Sequence, residues 1–277
     1  MVTIPTVALN DGTPFPALGF GTYKLTGDAG VASIEAAIRN GYRLLDTAVN
    51  YENEREVGEA VRGCGLDRDE LVVATKLPGR DHGYDEAIAS ARGSLDRLGL
   101  DRIDLWLIHW PNPRVGKYLD TWRAMIALQE EGLVRSIGVS NFTERMLTEL
   151  IEQTGVVPAV NQVELHPYFP QAALRAFHER NDIRTMSWSP LAGRSELLTE
   201  DEIVKIAARH GVSPTQAVLR WHVQLDATPI PKSADPSRQR ENAEVFGFSL
   251  AQDEVAAISR LERGRLWDGD PDTHEEF

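Results

Sequence analysis

The sequence has almost no cysteine and no concentration of positive charge. Cys64 is the only cysteine among 277 residues, which excludes an internal disulfide and a structural zinc site built on several thiolates. We therefore expect a reducing, cytoplasmic setting. The formal net charge is -13 and no long run of lysine or arginine occurs, so we expect no nucleic-acid partner.

Long apolar runs are also absent. No stretch reaches the length that spans a membrane, and the first residues, MVTIPTVALNDG, lack the basic start and apolar core of a targeting signal. The composition, with 42% hydrophobic and 26% charged residues, is that of a soluble globular protein. The sequence therefore predicts a folded enzyme or binding protein with no membrane partner.

Short apolar runs alternate with segments of helical period along the whole chain. Residues 7–15 predict a β-hairpin around an Asn-Asp-Gly turn, and Ser213 with Pro214 predicts a helix start before the last run. No linker or shift in composition divides the chain. The pattern favours the α/β class and a closed (β/α)8 TIM barrel, a single domain over 1–277, with an open doubly wound sheet as the alternative. The eight apolar runs lie at 17–21, 42–46, 71–75, 103–109, 134–140, 158–164, 183–189 and 227–231.

Polar residues follow these runs at the same end of each predicted strand. Each one alone has a structural explanation as a cap, a solvated strand end or a satisfied core group. Because barrel strands bring their C-terminal ends to one face, the repetition favours a functional site there. The set comprises Asp46, Lys76, His109, Ser140, Asn141, Asn161, Gln162, Glu164, Trp188, Ser189, Lys232 and Ser233.

Four residues of this end of the barrel could form an acid that acts on a carbonyl group. Tyr51 lies in the loop after Asp46, and an ammonium such as Lys76 is predicted to lower the pKa of its phenol. Asp46 would pair with Lys76, and His109 would form a hydrogen bond with a substrate oxygen. Since no nucleophile motif of the Gly-x-Ser-x-Gly type is present, a bound hydride donor would complete the reaction.

Seven segments resemble the aldo-keto reductase family, in that family's order and over nearly the whole chain, and are similar to its bacterial 2,5-diketogluconate reductase-like branch. The resemblance implies a catalytic tetrad of Asp46, Tyr51, Lys76 and His109, with Tyr51 as general acid. One departure is Pro78, where related reductases often carry tryptophan. The segments are GYRLLDTAVNYENEREVGEAV (41–61), VVATKL (72–77), DLWLIHWP (104–111), IGVSNF (137–142), VNQVELHPY (160–168), SWSPLAG (187–193) and IPKSADPSRQREN (230–242).

The resemblance also implies NADPH as the cofactor, a small-molecule carbonyl substrate and no metal. Ser140, Asn141 and Gln162 match residues that hold the nicotinamide amide, and Trp188 matches the aromatic residue on which the ring stacks. Tyr23 and Trp110 match positions of the substrate pocket. Further predicted cofactor contacts are Ser189, Leu191, Lys232, Ser233, Arg238, Glu241 and Asn242.

The phosphate-binding prediction has support that is independent of the family. The Gly-x-Gly-x-x-Gly motif of dinucleotide folds is absent, since GFGTYK at 19–24 lacks the third glycine. Within 231–240, Lys232, Arg238 and Arg240 oppose only Asp235, at a predicted helix N-terminus after the last strand. This turn is either an anion site that prefers NADPH to NADH or a solvated basic loop.

Two other classes of function stay open on sequence grounds. Lys76 could form a Schiff base in a barrel lyase, although pairing with Asp46 would oppose the neutral amine that this chemistry needs. The chain could also be a redox-inert nucleotide-binding sensor or scaffold.

The short acidic segment 264–277 is expected to cover the barrel mouth only partly, which suits small aldehydes, dicarbonyls or keto sugars. We expect a monomer.

Overall fold

The fold consists of an N-terminal hairpin and an eight-stranded parallel sheet surrounded by helices. The computed structural model describes residues 2–193 and 195–277. The hairpin strands β1 (Thr6–Ala8) and β2 (Pro14–Pro16) are antiparallel. The parallel strands are β3 (Phe20–Gly21), β4 (Leu44–Asp46), β5 (Val72–Leu77), β6 (Ile103–Ile108), β7 (Val134–Ser140), β8 (Val160–Glu164), β9 (Arg184–Trp188) and β10 (Ala227–Pro229).

Ten α-helices connect and cover the strands in the part of the chain that the structure describes. Those that follow the parallel strands put an apolar side on the sheet and a charged side towards solvent. They are α1 (Gly27–Arg39), α2 (Glu54–Gly63), α3 (Tyr84–Leu98), α4 (Tyr118–Glu130), α5 (Glu144–Thr154), α6 (Ala172–Arg180), α7 (Asp201–His210), α8 (Pro214–Gln224), α9 (Pro236–Ala243) and α10 (Gln252–Ser259).

Hydrogen bonds between the first and last parallel strands close the sheet into a barrel. The sheet order runs from β3 to β10 in sequence. The N–H of Gly19 donates to the carbonyl of Pro229 at 3.0 Å, and the N–H of Gly21 to that of Pro231 at 3.1 Å. A Cβ at residue 19 would lie 2.7 Å from the Leu44 side chain, so glycine permits this approach. The predicted TIM barrel is confirmed; that one domain spans all of 1–277 stays a prediction.

Apolar side chains fill the barrel interior, and the hairpin covers its N-terminal end. Phe15 and Leu9 of the hairpin region belong to one buried cluster with Leu105, Leu107 and other inward-facing strand residues. The barrel interior is therefore a packed core, and functional sites of this architecture lie at its C-terminal end. None of the helices in residues 2–193 and 195–277 is long and apolar enough to cross a membrane.

The predicted helix start at Ser213 is confirmed. Its hydroxyl accepts the N–H of Gln216 at 3.2 Å, and the Gln216 side chain accepts the N–H of Ser213 at 3.0 Å, which is a capping box. By contrast, α6 was not evident from sequence periodicity. Phe177 and His178 are its only buried residues, so it lacks the apolar repeat that identifies a surface helix.

Candidate active site

The C-terminal ends of the parallel strands surround a cavity of about 560 Å³. The structure brings most of the predicted site residues to its wall, because parallel strands of one barrel end at the same face. Trp267, Thr22 and Ile230, which sequence reasoning did not select, line it too. The predicted residues in the wall are Tyr23, Asp46, Tyr51, His109, Trp110, Ser140, Asn141, Gln162, Trp188, Ser189, Leu191 and Lys232.

Lys76 lies fully buried beneath the cavity floor. Its ammonium donates to Asp46 Oδ2 at 2.7 Å, to the carbonyl of Thr47 at 2.8 Å and to the Tyr51 hydroxyl at 3.5 Å. Burial alone would lower the pKa of Lys76, but contact with Asp46 and Tyr51 outweighs it, and the pKa lies above its usual value. Lys76 is therefore a charged ammonium with its three N–H groups engaged, which is unsuited to forming a Schiff base.

Asp46 receives donors on both of its carboxylate oxygens. Lys76 contacts Oδ2, and the side-chain amide of Gln162 donates to Oδ1 at 2.7 Å. The Asp46 side chain is only 2% exposed, so these contacts replace the water that a carboxylate would otherwise bind. The buried ion pair between Asp46 and Lys76 therefore fixes the Lys76 ammonium in place below the cavity.

A short, rigid loop carries Tyr51 over the barrel mouth. The 3-10 turn Val49–Tyr51 lies between Thr47 and Asn53, whose side chains are joined by a hydrogen bond of 2.7 Å. Asn53 also donates to the carbonyls of Thr22 at 2.8 Å and Leu25 at 3.0 Å. Sequence reasoning missed Asn53, which anchors this loop to the one after β3.

The pKa of Tyr51 differs in direction from the sequence-based prediction. Burial raises the pKa of the phenol above its ordinary value, and the Lys76 ammonium offsets only part of that rise. The predicted lowering of this pKa is therefore wrong as a net effect. Tyr51 keeps its proton at neutral pH, and since Lys76 donates to the phenol oxygen, the O–H of Tyr51 is available to a ligand in the cavity.

His109 follows β6 and lies beside Tyr51, with ring centroids 6.0 Å apart. Its Nδ1 atom is shielded from solvent and lies 2.7 Å from Oε1 of Glu276, although off the line of the ring N–H bond. Glu276 was not identified from the sequence. No local pattern signals it, since it lies in an acidic segment far along the chain from His109.

A second group of polar side chains lies in the cavity wall. The Asn141 amide donates to Ser140 Oγ at 3.1 Å and to the carbonyl of His109 at 3.0 Å, and the Trp188 indole N–H donates to Asn141 Oδ1 at 2.8 Å. Asn141 has φ of 63°, a left-handed conformation that asparagine tolerates. The amide of Asn141 thus lies at the N–H edge of the Trp188 indole, and Gln162 lines the same cavity.

Two residues that follow the strands do not face the cavity. Asn161 donates to the carbonyl of Phe142 and contacts His178, and Glu164 binds His166. Their selection from the sequence was wrong for two different reasons. Alternate residues of a strand point to opposite sides, so Asn161 points away from the side of Gln162, which takes the inward position. Glu164 lies on the same side as Gln162, but its carboxylate is engaged by His166 and by the N–H of Leu266, and it is not part of the cavity wall.

The basic turn after β10 leads into the N-terminus of α9. Asp235 caps this helix, with its carboxylate accepting the N–H groups of Ser237 at 2.8 Å and Arg238 at 3.3 Å. Lys232 and Arg238 are exposed, and neither forms an ion pair with any residue in the described ranges. The Asp235 carboxylate is thus bound by backbone N–H groups, which leaves the side chains of Lys232 and Arg238 available to bind an anion.

The remaining predicted cofactor contacts lie close to this turn. Ser233 accepts the N–H of Asp235 at 3.1 Å, and Glu241 and Asn242 belong to α9. Glu241 is partly exposed, whereas Asn242 is buried. Ser233, Arg238, Glu241 and Asn242 do not line the cavity itself, but Lys232 does, so the turn continues the cavity wall outward.

Comparison with known proteins agrees with this architecture. A profile described as the aldo/keto reductase family matches residues 17–263. The chain is 73% identical, over 277 residues and all of both chains, to 2,5-diketo-D-gluconic acid reductase B of Corynebacterium sp. (strain SHS752001). It is 43% identical to morphine 6-dehydrogenase of Pseudomonas putida, with 96% of this chain and 94% of that protein covered.

Solved structures resemble the whole barrel. An aldo/keto reductase from Brucella melitensis superposes with a TM-score of 0.90 at 45% identity, covering 94% of this chain and 100% of that one. A variant of Gox0644 crystallised with NADPH gives a TM-score of 0.93 at 42% identity, with 99% of each chain covered. Together with the barrel and its site, these matches show that the chain belongs to the aldo/keto reductase family.

Proposed function

We propose that this chain reduces a carbonyl group of a small substrate to an alcohol with NADPH as hydride donor and Tyr51 as general acid. The observation that carries the proposal is the buried contact of Lys76 with both Asp46 and Tyr51 at the floor of the cavity. It leaves a protonated phenol facing the space where a substrate would lie. The family match supports carbonyl reduction.

The residues present fit a nicotinamide dinucleotide. The indole of Trp188 offers a flat face, and the Ser140 hydroxyl and the amides of Asn141 and Gln162 offer the donors and acceptors that a carboxamide needs. Members of the family were crystallised with NADPH and, in Bombyx mori, with NADP. The family thus uses NADP(H), which agrees with the predicted cofactor.

The basic turn favours NADPH over NADH. The two cofactors differ only by the ribose 2′-phosphate, so a preference requires groups that meet that phosphate. Lys232 supplies an ammonium on a flexible side chain, and Arg238 supplies a planar guanidinium that can bind two phosphate oxygens. Both lack ion-pair partners among the described residues. Ser233, Glu241 and Asn242 would contact the adenosine side of the cofactor, which their position in this turn and in α9 supports.

Each residue of the tetrad has a distinct part in the proposed reaction. A bound NADPH supplies the hydride for the carbonyl carbon. As the carbonyl oxygen gains negative charge, the O–H bond of Tyr51 breaks and its proton moves to that oxygen. Lys76 stabilises the phenolate that remains, and Asp46 keeps Lys76 charged and in place. His109 holds a second substrate oxygen, while Tyr23 and Trp110 form the apolar walls.

The substrate that we propose is a keto sugar acid of the diketogluconate type, because the relative of that name is similar over its full length. Small aldehydes and dicarbonyls are the simpler substrates of the same site.

Trp110 packs against His274 with ring centroids 4.3 Å apart, and Trp267 lines the cavity, so segment 264–277 flanks the mouth. We also propose that the protein is a monomer in the cytoplasm.

One experiment separates this function from the alternatives. The purified chain is titrated with NADPH, and oxidation of NADPH is then followed by its absorbance with 2,5-diketo-D-gluconate and with simple aldehydes. Turnover that Tyr51→Phe abolishes supports the proposal. Binding without turnover on any carbonyl would indicate a nucleotide-binding sensor, and absence of binding would contradict the cofactor assignment.

A further inference from the structure

The side chain of Asn53 joins the two loops that follow β3 and β4. Its Nδ2 atom donates to the carbonyl of Thr22 at 2.8 Å and to that of Leu25 at 3.0 Å. Its Oδ1 atom accepts the hydroxyl of Thr47 at 2.7 Å. Asn53 and Thr47 are both fully buried, so water does not compete for these bonds. The amide thus uses both of its N–H groups and its oxygen inside the protein.

Helix capping does not account for this asparagine. Asn53 stands at the N-cap of α2, where an asparagine side chain usually binds the N–H groups of the first helical turn. Among residues 53–57, all of which the structure describes, the Asn53 side chain makes no such bond. It is directed instead to groups of the two loops. The residues that it holds there are therefore the better guide to its role.

Thr47 transmits the position of Asn53 to the Lys76 ammonium. The Thr47 hydroxyl donates to Asn53, and the Thr47 carbonyl accepts an N–H of Lys76 at 2.8 Å. Lys76 in turn contacts the Tyr51 hydroxyl at 3.5 Å. A shift of Thr47 would therefore move the ammonium that stabilises the Tyr51 phenolate in the proposed reaction.

The bond between Thr47 and Asn53 also closes the segment that contains Tyr51. The 3-10 turn Val49–Tyr51 lies between the two bonded residues, and the N–H of Tyr51 donates to the carbonyl of Ala48 at 3.0 Å. Because both ends of this short segment are joined, its backbone has little freedom to move. A reactive side chain keeps its geometry when hydrogen bonds of neighbouring residues support it in this way.

The two N–H groups of Asn53 fix the turn that carries Tyr23. The carbonyls that they bind belong to Thr22 and Leu25 at the ends of this turn, which the N–H of Leu25 closes by donating to the Thr22 carbonyl at 2.9 Å. The Tyr23 ring meets the Tyr51 ring edge-on, with centroids 5.1 Å apart. One buried amide thus holds the loop of the acid against an aromatic wall of the cavity.

We propose that Asn53 is a positioning residue for the general acid Tyr51. Through Thr47 it keeps the acid beside Lys76, and through the turn after β3 it keeps the acid beside Tyr23. The inference rests on the proposed function, since it names the residue that holds the acid in place. In the part of the chain that the structure describes, Asn53 is outside the cavity wall, so it acts through these neighbours and not on a ligand.

Single-turnover kinetics separate positioning from stability. Protein loaded with NADPH is mixed with excess 2,5-diketo-D-gluconate, or with propanal if the parent reduces that faster, and NADPH absorbance is followed. The amplitude counts the folded, loaded molecules, whereas the rate constant reports how fast those molecules react. Asn53→Ala should lower the rate constant by about 10- to 100-fold, since a misplacement of about 1 Å can cost that much. Its dissociation constant for NADPH should equal that of the parent. A lower amplitude with the rate constant of the parent would overturn the proposal.

Substitutions of Thr47 test the same link if Asn53→Ala does not fold. Thr47→Val keeps the shape of the side chain but loses the hydroxyl, so the rate constant should fall by about three- to tenfold, the equivalent of one hydrogen bond between neutral groups. Thr47→Ser keeps the hydroxyl and should react at the rate of the parent. The control Thr185→Val loses another buried hydroxyl, 2.8 Å from His178, and should keep the rate constant of the parent. Equal rate constants in Thr47→Val and the parent would contradict the proposal.

A double variant tests whether Asn53 acts on Tyr51. With Tyr51→Phe no acid is left to position, so adding Asn53→Ala should lower the remaining rate constant far less than it does in the parent. The same fold-loss in both backgrounds would overturn the proposal. A parent whose NADPH oxidation depends on Tyr51, with an equal rate constant in Asn53→Ala, would refute this inference alone. A parent that oxidises NADPH with no carbonyl would refute the proposed function.

Discussion

Replacing Lys76 with methionine should destabilise the fold as well as abolish the chemistry. The ammonium donates to Asp46, Thr47 and Tyr51, and its side chain is fully buried. Methionine fills a similar volume but leaves the Asp46 carboxylate with Gln162 as its remaining side-chain donor. Removing one partner of a buried ion pair typically costs about 3 to 5 kcal/mol, because the other charge stays buried and unpaired. We expect a loss of free energy of unfolding in this range.

A double variant separates the charge effect from the loss of packing. Asp46→Asn together with Lys76→Met removes both charges of the pair, so it should be more stable than Lys76→Met alone. The coupling energy between the two substitutions should be about 0.5 to 3 kcal/mol, as for residues in contact. Free energies of unfolding are measured by urea titration of the parent, both single variants and the double variant. Strict additivity of the two single effects would refute the idea that the pair acts as one buried unit.

Three further predictions concern the acid, the cofactor and pH. Tyr51→Phe should keep NADPH affinity and lower kcat by about 10² to 10⁴, the usual contribution of a general acid; kcat within threefold of the parent would remove Tyr51 from that role. The double variant Lys232→Ala, Arg238→Ala should lower the affinity for NADPH by about 10² to 10⁴ at low salt, because two charge-assisted hydrogen bonds of about 1.5 to 3 kcal/mol each are lost. Its affinity for NADH should be almost unchanged. The control Arg240→Ala, on the other side of α9, should alter neither dissociation constant. Burial lowers the pKa of His222 from 6.5 to about 3, so below pH 6.5 the unfolded chain takes up a proton that the folded chain refuses, and stability is lost as pH falls. Between pH 7 and 5 this histidine should contribute about 2 kcal/mol of that loss. The free energy of unfolding is measured by urea titration at several pH values. If it falls with pH as steeply in His222→Gln as in the parent, the prediction is contradicted.

The barrel could be predicted from the sequence because its signals are local and repeated. Each strand is a short apolar run, and the polar residue that ends it marks the functional face, as at Asp46 and His109. Where the local signal is weak the periodicity alone identified no helix, as for α6, which buries only Phe177 and His178. Strand alternation, which decides between Asn161 and Gln162, requires the register of the sheet.

The contribution of Glu276 could not be predicted because it depends on a contact between distant segments. Nothing in the letters THEEF distinguishes Glu276 from Glu275, which instead accepts the backbone N–H of Arg114. The pKa of Tyr51 was predicted with the wrong sign for a related reason. The sequence shows that a lysine is near, but only the structure shows that burial of the phenol is the larger effect.

In the proposed reaction, the raised pKa values of Tyr51 and Lys76 would together keep the proton on Tyr51 until the carbonyl oxygen can take it. With Tyr51 neutral, the contact of Tyr51, Lys76 and Asp46 contains one anion, Asp46, and one cation, Lys76. Ionisation of Tyr51 would place a second anion beside the same cation in a region shielded from water, which is unfavourable. Transfer of the proton to a carbonyl oxygen becomes favourable only as hydride addition makes that oxygen basic. In the proposed reaction, the position of Lys76 between the two oxygens would therefore couple proton release from Tyr51 to the formation of the alcohol.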